Sequence, residues 1–242
     1  MKDNRPAASA TATNADETGT GPEVCTIQPQ GDQSDQAYRA LVDGLRGGTL
    51  RSGMFLSMPM LVTHLAFPLA AVREAVKRAE AAALVQILPK RGVMVMTADP
   101  DTTRDCMDLR TMLDLHGARR LLAGAGALPL AALRATHEAL LHDATAPAPD
   151  LQRRAITTDL SLHDALSTGL DGPVLRRLYA ENRDRIAVIQ TQRPFLADRI
   201  IPAMTEHLAI ITALETGDLP AVETAIRDHL TNTLRWWGID SR

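Results

Sequence analysis

"PLAAVREAVKRAEAAALVQILPKRGVMVMTA", residues 68–98, changes its periodicity halfway along. Its first part reads as a helix that opens at Pro68. From Leu84 the residues alternate and are rich in Val, with "PKRG" as a turn, which is the pattern of a two-stranded hairpin. Upstream, "SMPMLVTHLAF" gives a short helix with Ser57 as N-cap and Pro59 in the first turn. Before that, "QAYRALVDGLRGG" sets Tyr38, Leu41 and Leu45 at helical spacing and stops at Gly47 and Gly48. Three helices followed by a hairpin outline a winged helix-turn-helix.

Downstream of Asp99 every segment is helical in pattern. Glycines end "DPDTTRDCMDLRTMLDLHGARRLLAGAG", the Pro-rich "TAPAPD" separates two later helices, and about six helices complete the chain. The expected fold is therefore mostly α, an N-terminal winged helix-turn-helix followed by an all-α helical bundle. Residues 1–36 show no apolar period and read as a disordered tail, with a DNA-binding domain over 37–97 and an all-α effector, metal-binding and dimerisation domain over 98–238.

The composition narrows the class. The chain has 242 residues, 45 % apolar and only 3 % aromatic, so the cores must be built from Leu, Ala, Val and Ile. Two cysteines, Cys25 and Cys106, argue against a disulfide framework and fit a reducing cytoplasm, and no apolar run reaches membrane-spanning length. The net charge of −3 is unevenly spread. Residues 37–96 carry eight Lys or Arg against three acids, a surplus of +5, whereas the stretches on either side are each −4. One basic module between acidic neighbours is the footprint of a domain that meets a polyanion. Arg73, Lys77, Arg78, Lys90, Arg91 and Gly92 are the candidate DNA contacts; the alternative is a solvated helix face.

"TTDLSLHDALS", residues 157–167, puts Asp159 and His163 one turn apart beside the apolar stripe Ile156, Leu160, Leu166 and Leu170. Alone, the pair could be a surface ion pair or a satisfied core histidine. Two further histidines lie in apolar stripes: His207 among Ile200, Met204, Ile211 and Leu214, and His229 among Val222, Ile226 and Thr233. Three helices thus turn polar groups toward the bundle interior, which is how bundles build metal sites. One carboxylate and three imidazoles suit Zn, Ni, Mn or Fe better than Ca or Mg.

Taken together, "GTLRSGMFL", "PLAAVREAV", "ALV" and "KRG" in the first half, and "RTMLDLHGARRLLA", "DLSLH", "EHLAIITALETGD" and "DH" in the second, resemble the GntR family of bacterial transcription regulators. The likeness is to its FadR branch with an FCD-type, VanR-like C-terminal domain. The resemblance implies a homodimer on a double-stranded DNA operator. It also implies a divalent ion held by Asp159, His163, His207 and His229, and a small organic-acid effector that reaches Arg110. A guanidinium grips a carboxylate bidentately, and Arg154 is a second candidate; the plain alternative for Arg110 is an i,i+4 pair with Asp114. The family's Ser-Arg at the start of the recognition helix is Pro68-Leu69 here, its next Pro is Ala71, and its acid before the second helix is Met58. Losing that Arg removes a guanine contact worth about 1–3 kcal/mol of discrimination. Two other functions stay open at this stage: a metal or ligand sensor with weakened DNA reading, and a metalloenzyme. An enzyme is not expected, because no partner base or nucleophile motif accompanies the ligands.

Overall fold

The computed structural model describes residues 30–146, 148–193 and 197–239. The first helix, α1 (Gln30–Arg46), begins six residues before residue 36, the expected end of the tail, and residues 1–29 lie outside the described part. The early start has a cause: Asp35 accepts a 2.6 Å bond from Arg78, whose guanidinium lies 4.2 Å from the Tyr38 ring centroid. Asp35 is thereby tied to Arg78, and through it the start of α1 to the helix that follows.

Next come β1 (Phe55–Leu56), α2 (Met58–Leu65), α3 (Leu69–Ala81), β2 (Val85–Leu88) and β3 (Gly92–Val95). Ser57 caps α2 by accepting from the Met60 amide, as its position before an apolar run predicts. The hairpin is present, with Val85 opposite Val95 and Leu88 opposite Gly92, and β1 adds a third strand on the far side of β3. Two residues are too few to show a strand period in sequence. The wing needs Gly92: its φ is +141°, and a Cβ there would sit 2.4 Å from the Leu56 carbonyl oxygen of β1.

The second half holds α4 (Pro100–Arg120, running into a π-helical turn, Leu121–Ala125), α5 (Leu130–Asp143), α6 (Leu151–Ser167), α7 (Pro173–Gln192), α8 (Ala197–Thr216) and α9 (Leu219–Trp236). Six helices are what the pattern predicts, and none among the described residues is long and apolar enough to cross a membrane. Helices α4 and α6 run parallel in a fixed register. Arg110 meets Asp159, Asp114 meets His163 and Gly117 meets Leu166, each pair 49 positions apart. A Cβ on Gly117 would lie 2.2 Å from the Leu166 carbonyl oxygen, and one on Gly169 would lie 2.3 Å from the Gly117 oxygen, so only glycine permits this approach.

Helix α7 belongs to both halves. Val188 is fully buried in the core formed by Leu41, Leu61, Val72 and Val93 of the winged helix. Asp184 pairs with Arg46, Arg185 Nε donates 2.8 Å to the Ala82 carbonyl, and Gln192 donates 3.3 Å to the Ser52 carbonyl.

The contact between α4 and α6 makes a direct prediction. Gly117→Ala forces two backbones apart and should cost about 1–3 kcal/mol, the range for overpacking a tight interior. Urea denaturation of the metal-free protein measures this as a lower midpoint at unchanged slope.

Candidate metal centre and nucleic-acid groove

Asp159 and His163 of α6, His207 of α8 and His229 of α9 are all buried, and one ligand-type atom from each lies within 4.8 Å of the others. The direction in which each imidazole carries its proton follows from its outer neighbour. His163 Nδ1 is 2.7 Å from Asp114 Oδ2, and His229 Nδ1 is 2.8 Å from Glu206 Oε2. A carboxylate only accepts, so both rings are Nδ1–H and turn the Nε2 lone pair inward. His207 Nδ1 lies 3.1 Å from Nε2 of a fourth buried histidine, His137.

The inward atoms are short of protons. His163 Nε2 has no hydrogen-bond partner. His207 Nε2 faces His229 Nε2 at 3.3 Å and Asp159 Oδ1 at 3.4 Å. With the proton on Nδ1, neither approach is a hydrogen bond. Arg110 Nη2 supplies one donor, to His229 Nε2 at 3.3 Å, while its Nη1 lies 3.5 Å from Asp159 Oδ2. Gln190 of α7 donates 2.9 Å to the same Oδ2. Three lone pairs and a carboxylate converging in a dry interior form a donor set that fits a divalent cation.

The electrostatics favour the metal-ready protonation states. Burial, reinforced by the Arg110 charge and opposed by the bond to Glu206, pushes His229 down to about 4. Burial and the neighbouring His229 hold His207 well below the ordinary histidine value. Burial opposes ionisation of Asp159, but Arg110, His163 and His229 outweigh it and hold the carboxyl below the usual range.

The sequence-predicted residues do not all meet. Asp159, His163, His207, His229 and Arg110 come together, and Arg110 does not pair with Asp114, which is taken by His163. Arg154 does not join them: it turns to the surface and pairs with Asp143. Asp114, Glu206, Gln190 and His137 carry no motif. They become visible only once the helices are packed.

On the other half, Arg73 and Lys77 of α3 and Lys90, Arg91 and Gly92 of the wing line one groove, floored by Met58, Val76 and Val93. Among the described residues Arg73, Lys90 and Arg91 make no ion pair. Lys77 pairs with Glu74 one turn earlier at 3.6 Å while still lining the groove, whereas Arg78 lies outside it, paired with Asp35 in the α1–α3 contact. Lys90 holds a left-handed φ of +62° at the tip, after Pro89. Leu69, where the family pattern has Arg, is 43 % exposed at the start of α3.

Residues 105–232 match the FCD domain and residues 33–95 match the bacterial regulatory proteins of the gntR family. The chain belongs to the GntR family, in the group with a C-terminal FCD domain, and is accordingly a DNA-binding transcription regulator with an effector-binding domain. No curated protein sequence matches it. Among solved structures, a GntR transcriptional regulator from Rhodococcus sp. RHA1 is 19 % identical with a TM-score of 0.71, covering 87 % of this chain and 100 % of its own. E. coli McbR/YncC is 17 % identical with a TM-score of 0.66, over 85 % of this chain and 97 % of its own. These likenesses establish the fold, with both halves included.

The depressed His229 gives a pH prediction. Its folded value of about 4 lies below the unfolded 6.5, so the unfolded chain binds more protons between them. Its contribution is complete above 6.5 and is lost as pH falls through about 4, on the order of 3 kcal/mol in all. Thermal melts of the metal-free protein across this window should show the loss, and His229→Gln should flatten it.

Proposed function

We propose that this regulator holds a divalent metal ion on Asp159, His163, His207 and His229, and that a small carboxylate effector acting at that centre modulates operator binding by the winged helix. The observation that carries the reading is the inward convergence of Nε2 lone pairs, each ring's proton being fixed outward by an acceptor on a neighbouring helix or helix turn. Zn, Ni, Mn and Fe suit the donors, and a bound ion supplies Lewis-acid coordination for a carboxylate oxygen. Arg110, with an N–H on His229 Nε2, is the adjacent cation for the effector's charge.

Division of labour follows the chain. The region 37–97, extended back to α1's start, reads DNA, and 98–238 senses. Arg73, Lys77, Lys90 and Arg91 supply phosphate and base contacts from α3 and the wing. The protein works in the cytoplasm as a homodimer, since palindromic operators require two-fold geometry.

Helix α7 is the connection between sensing and reading. Gln190 holds Asp159, while Asp184, Arg185 and Val188, within two turns, hold the winged helix. A change at Asp159 is thereby a change in the seating of the head.

Fluorescence anisotropy on DNA upstream of the protein's own gene, with Zn-loaded and chelated samples, tests the reading. Log affinity should fall linearly with log salt, and Arg73→Ala should lower that slope by about 1. Asp159→Asn should abolish Zn(II) uptake. Gln190→Leu should keep both Zn(II) uptake and DNA binding but remove the affinity difference between loaded and chelated protein. Operator binding by wild type that is identical with and without metal would refute the coupling.

A further inference from the structure

His137 sits outside the ligand set, on α5, and no surface requirement explains it: it is fully buried, behind His207. Its ring is held from both sides. Nδ1 is 2.7 Å from the carbonyl oxygen of Leu133, one turn earlier on the same helix, and Nε2 is 3.1 Å from His207 Nδ1. A carbonyl cannot donate, so the proton of a neutral His137 is on Nδ1 and its Nε2 is an acceptor. One proton on Nδ1 and one lone pair on Nε2 account for both of its contacts. The proton between the two rings therefore belongs to His207, which donates from Nδ1.

The alternative for His207 is well defined. With its proton on Nε2 it would find Asp159 Oδ1 at 3.4 Å, an acceptor with no other donor among the described residues, beside His229 Nε2 at 3.3 Å, which Arg110 already engages. That tautomer gives Asp159 Oδ1 a donor without any ion and removes one of the inward lone pairs. It would also set two bare nitrogens, His207 Nδ1 and His137 Nε2, against each other at 3.1 Å. His137 thus decides a competition that the cluster's own acceptors would otherwise win. His163 and His229 are oriented by carboxylates, Asp114 and Glu206, whereas His207 alone is oriented by a neutral imidazole.

We propose that His137 is a positioning residue for the metal centre: through the chain Leu133 carbonyl, His137, His207 it fixes His207 as the Nδ1–H tautomer and presents Nε2 for coordination. The inference rests on the metal reading above and adds to it a residue that coordinates nothing. Outer partners of ligating histidines typically set metal affinity by 10–100-fold.

The experiment is Zn(II) competition titration against a chromophoric chelator, with the full chain as wild type, His137→Leu and His137→Gln. Nitrogen NMR of the His207 ring in the metal-free protein accompanies it. The Leu variant, which fills the space without an acceptor, should bind Zn(II) about 10–100-fold more weakly. The Gln variant, whose amide oxygen can take the His207 proton, should recover most of that loss. Metal-free wild type should show His207 protonated on Nδ1. If wild type binds Zn(II) and both variants bind as tightly, the inference is overturned and the metal reading stands. If wild type takes up no Zn(II), the metal reading falls and this inference falls with it. Should the Leu variant fail to fold, a wild-type His207 found protonated on Nε2 overturns the inference without it.

Discussion

The structure depends on a place where a side chain is missing. Where α4 passes α6, the Gly117 Cα faces the Leu166 carbonyl so closely that no Cβ fits, and Gly169 returns the contact from the next turn. Two parallel helices in backbone contact cannot slide, because any shift would have to carry a residue with a Cβ into that gap. The register so fixed brings Asp114 to His163 and Arg110 to Asp159, one and two turns away. A polar cluster buried in an apolar bundle tolerates little error in position, since an ångström of slip leaves charges unpaired in a low dielectric. The glycine contact supplies that precision through the rigid backbone.

On that frame the centre is organised by where its protons go. Each imaging of the site from outside inward meets an acceptor first, then an N–H, then a ring, then a lone pair: Asp114 for His163, Glu206 for His229, His137 for His207. Glu206 is itself gripped by Arg199 through both oxygens, at 2.7 and 2.8 Å, so the tether of His229 is anchored in turn. Burial does the rest at His207 and His229 by disfavouring imidazolium, which leaves those two rings neutral at physiological pH. The outer nitrogens are therefore all engaged, and the inner ones meet as lone pairs.

Much of this was legible in the sequence, and the omissions have physical reasons. The change of period near Leu84 was enough for the winged helix, because a half-buried hairpin and an amphipathic helix expose different residues to the same core. Asp159, His163, His207 and His229 could be read because each interrupts an apolar stripe. His137 interrupts one as well, between Leu133 and Leu140, but its partner is 70 positions away on α8 and no spacing rule connects them. Gln190 was hidden for the same reason. Arg78 was grouped with the DNA contacts because Asp35, its partner, lies in a polar stretch that shows no helical stripe. Arg154 was drawn toward the centre by its nearness to Asp159 in sequence, yet its side chain leaves α6 on the outer side. Helical spacing gives the face of a residue, and distant partners decide what that face meets.

Helix α7 carries a consequence for how such proteins can be assembled. The core of the winged helix is closed by Val188, a residue more than ninety positions beyond the end of β3, and its flank is held by Asp184 and Arg185 from the same helix. The reading head is therefore not a detachable cassette. Joined to a foreign bundle it would lose a core residue and two polar anchors, and joined to its own it inherits the position of α7 along with them. Head and bundle are in this sense one packed unit, and a substitution in α7 between Asp184 and Gln190 is felt on both sides of it.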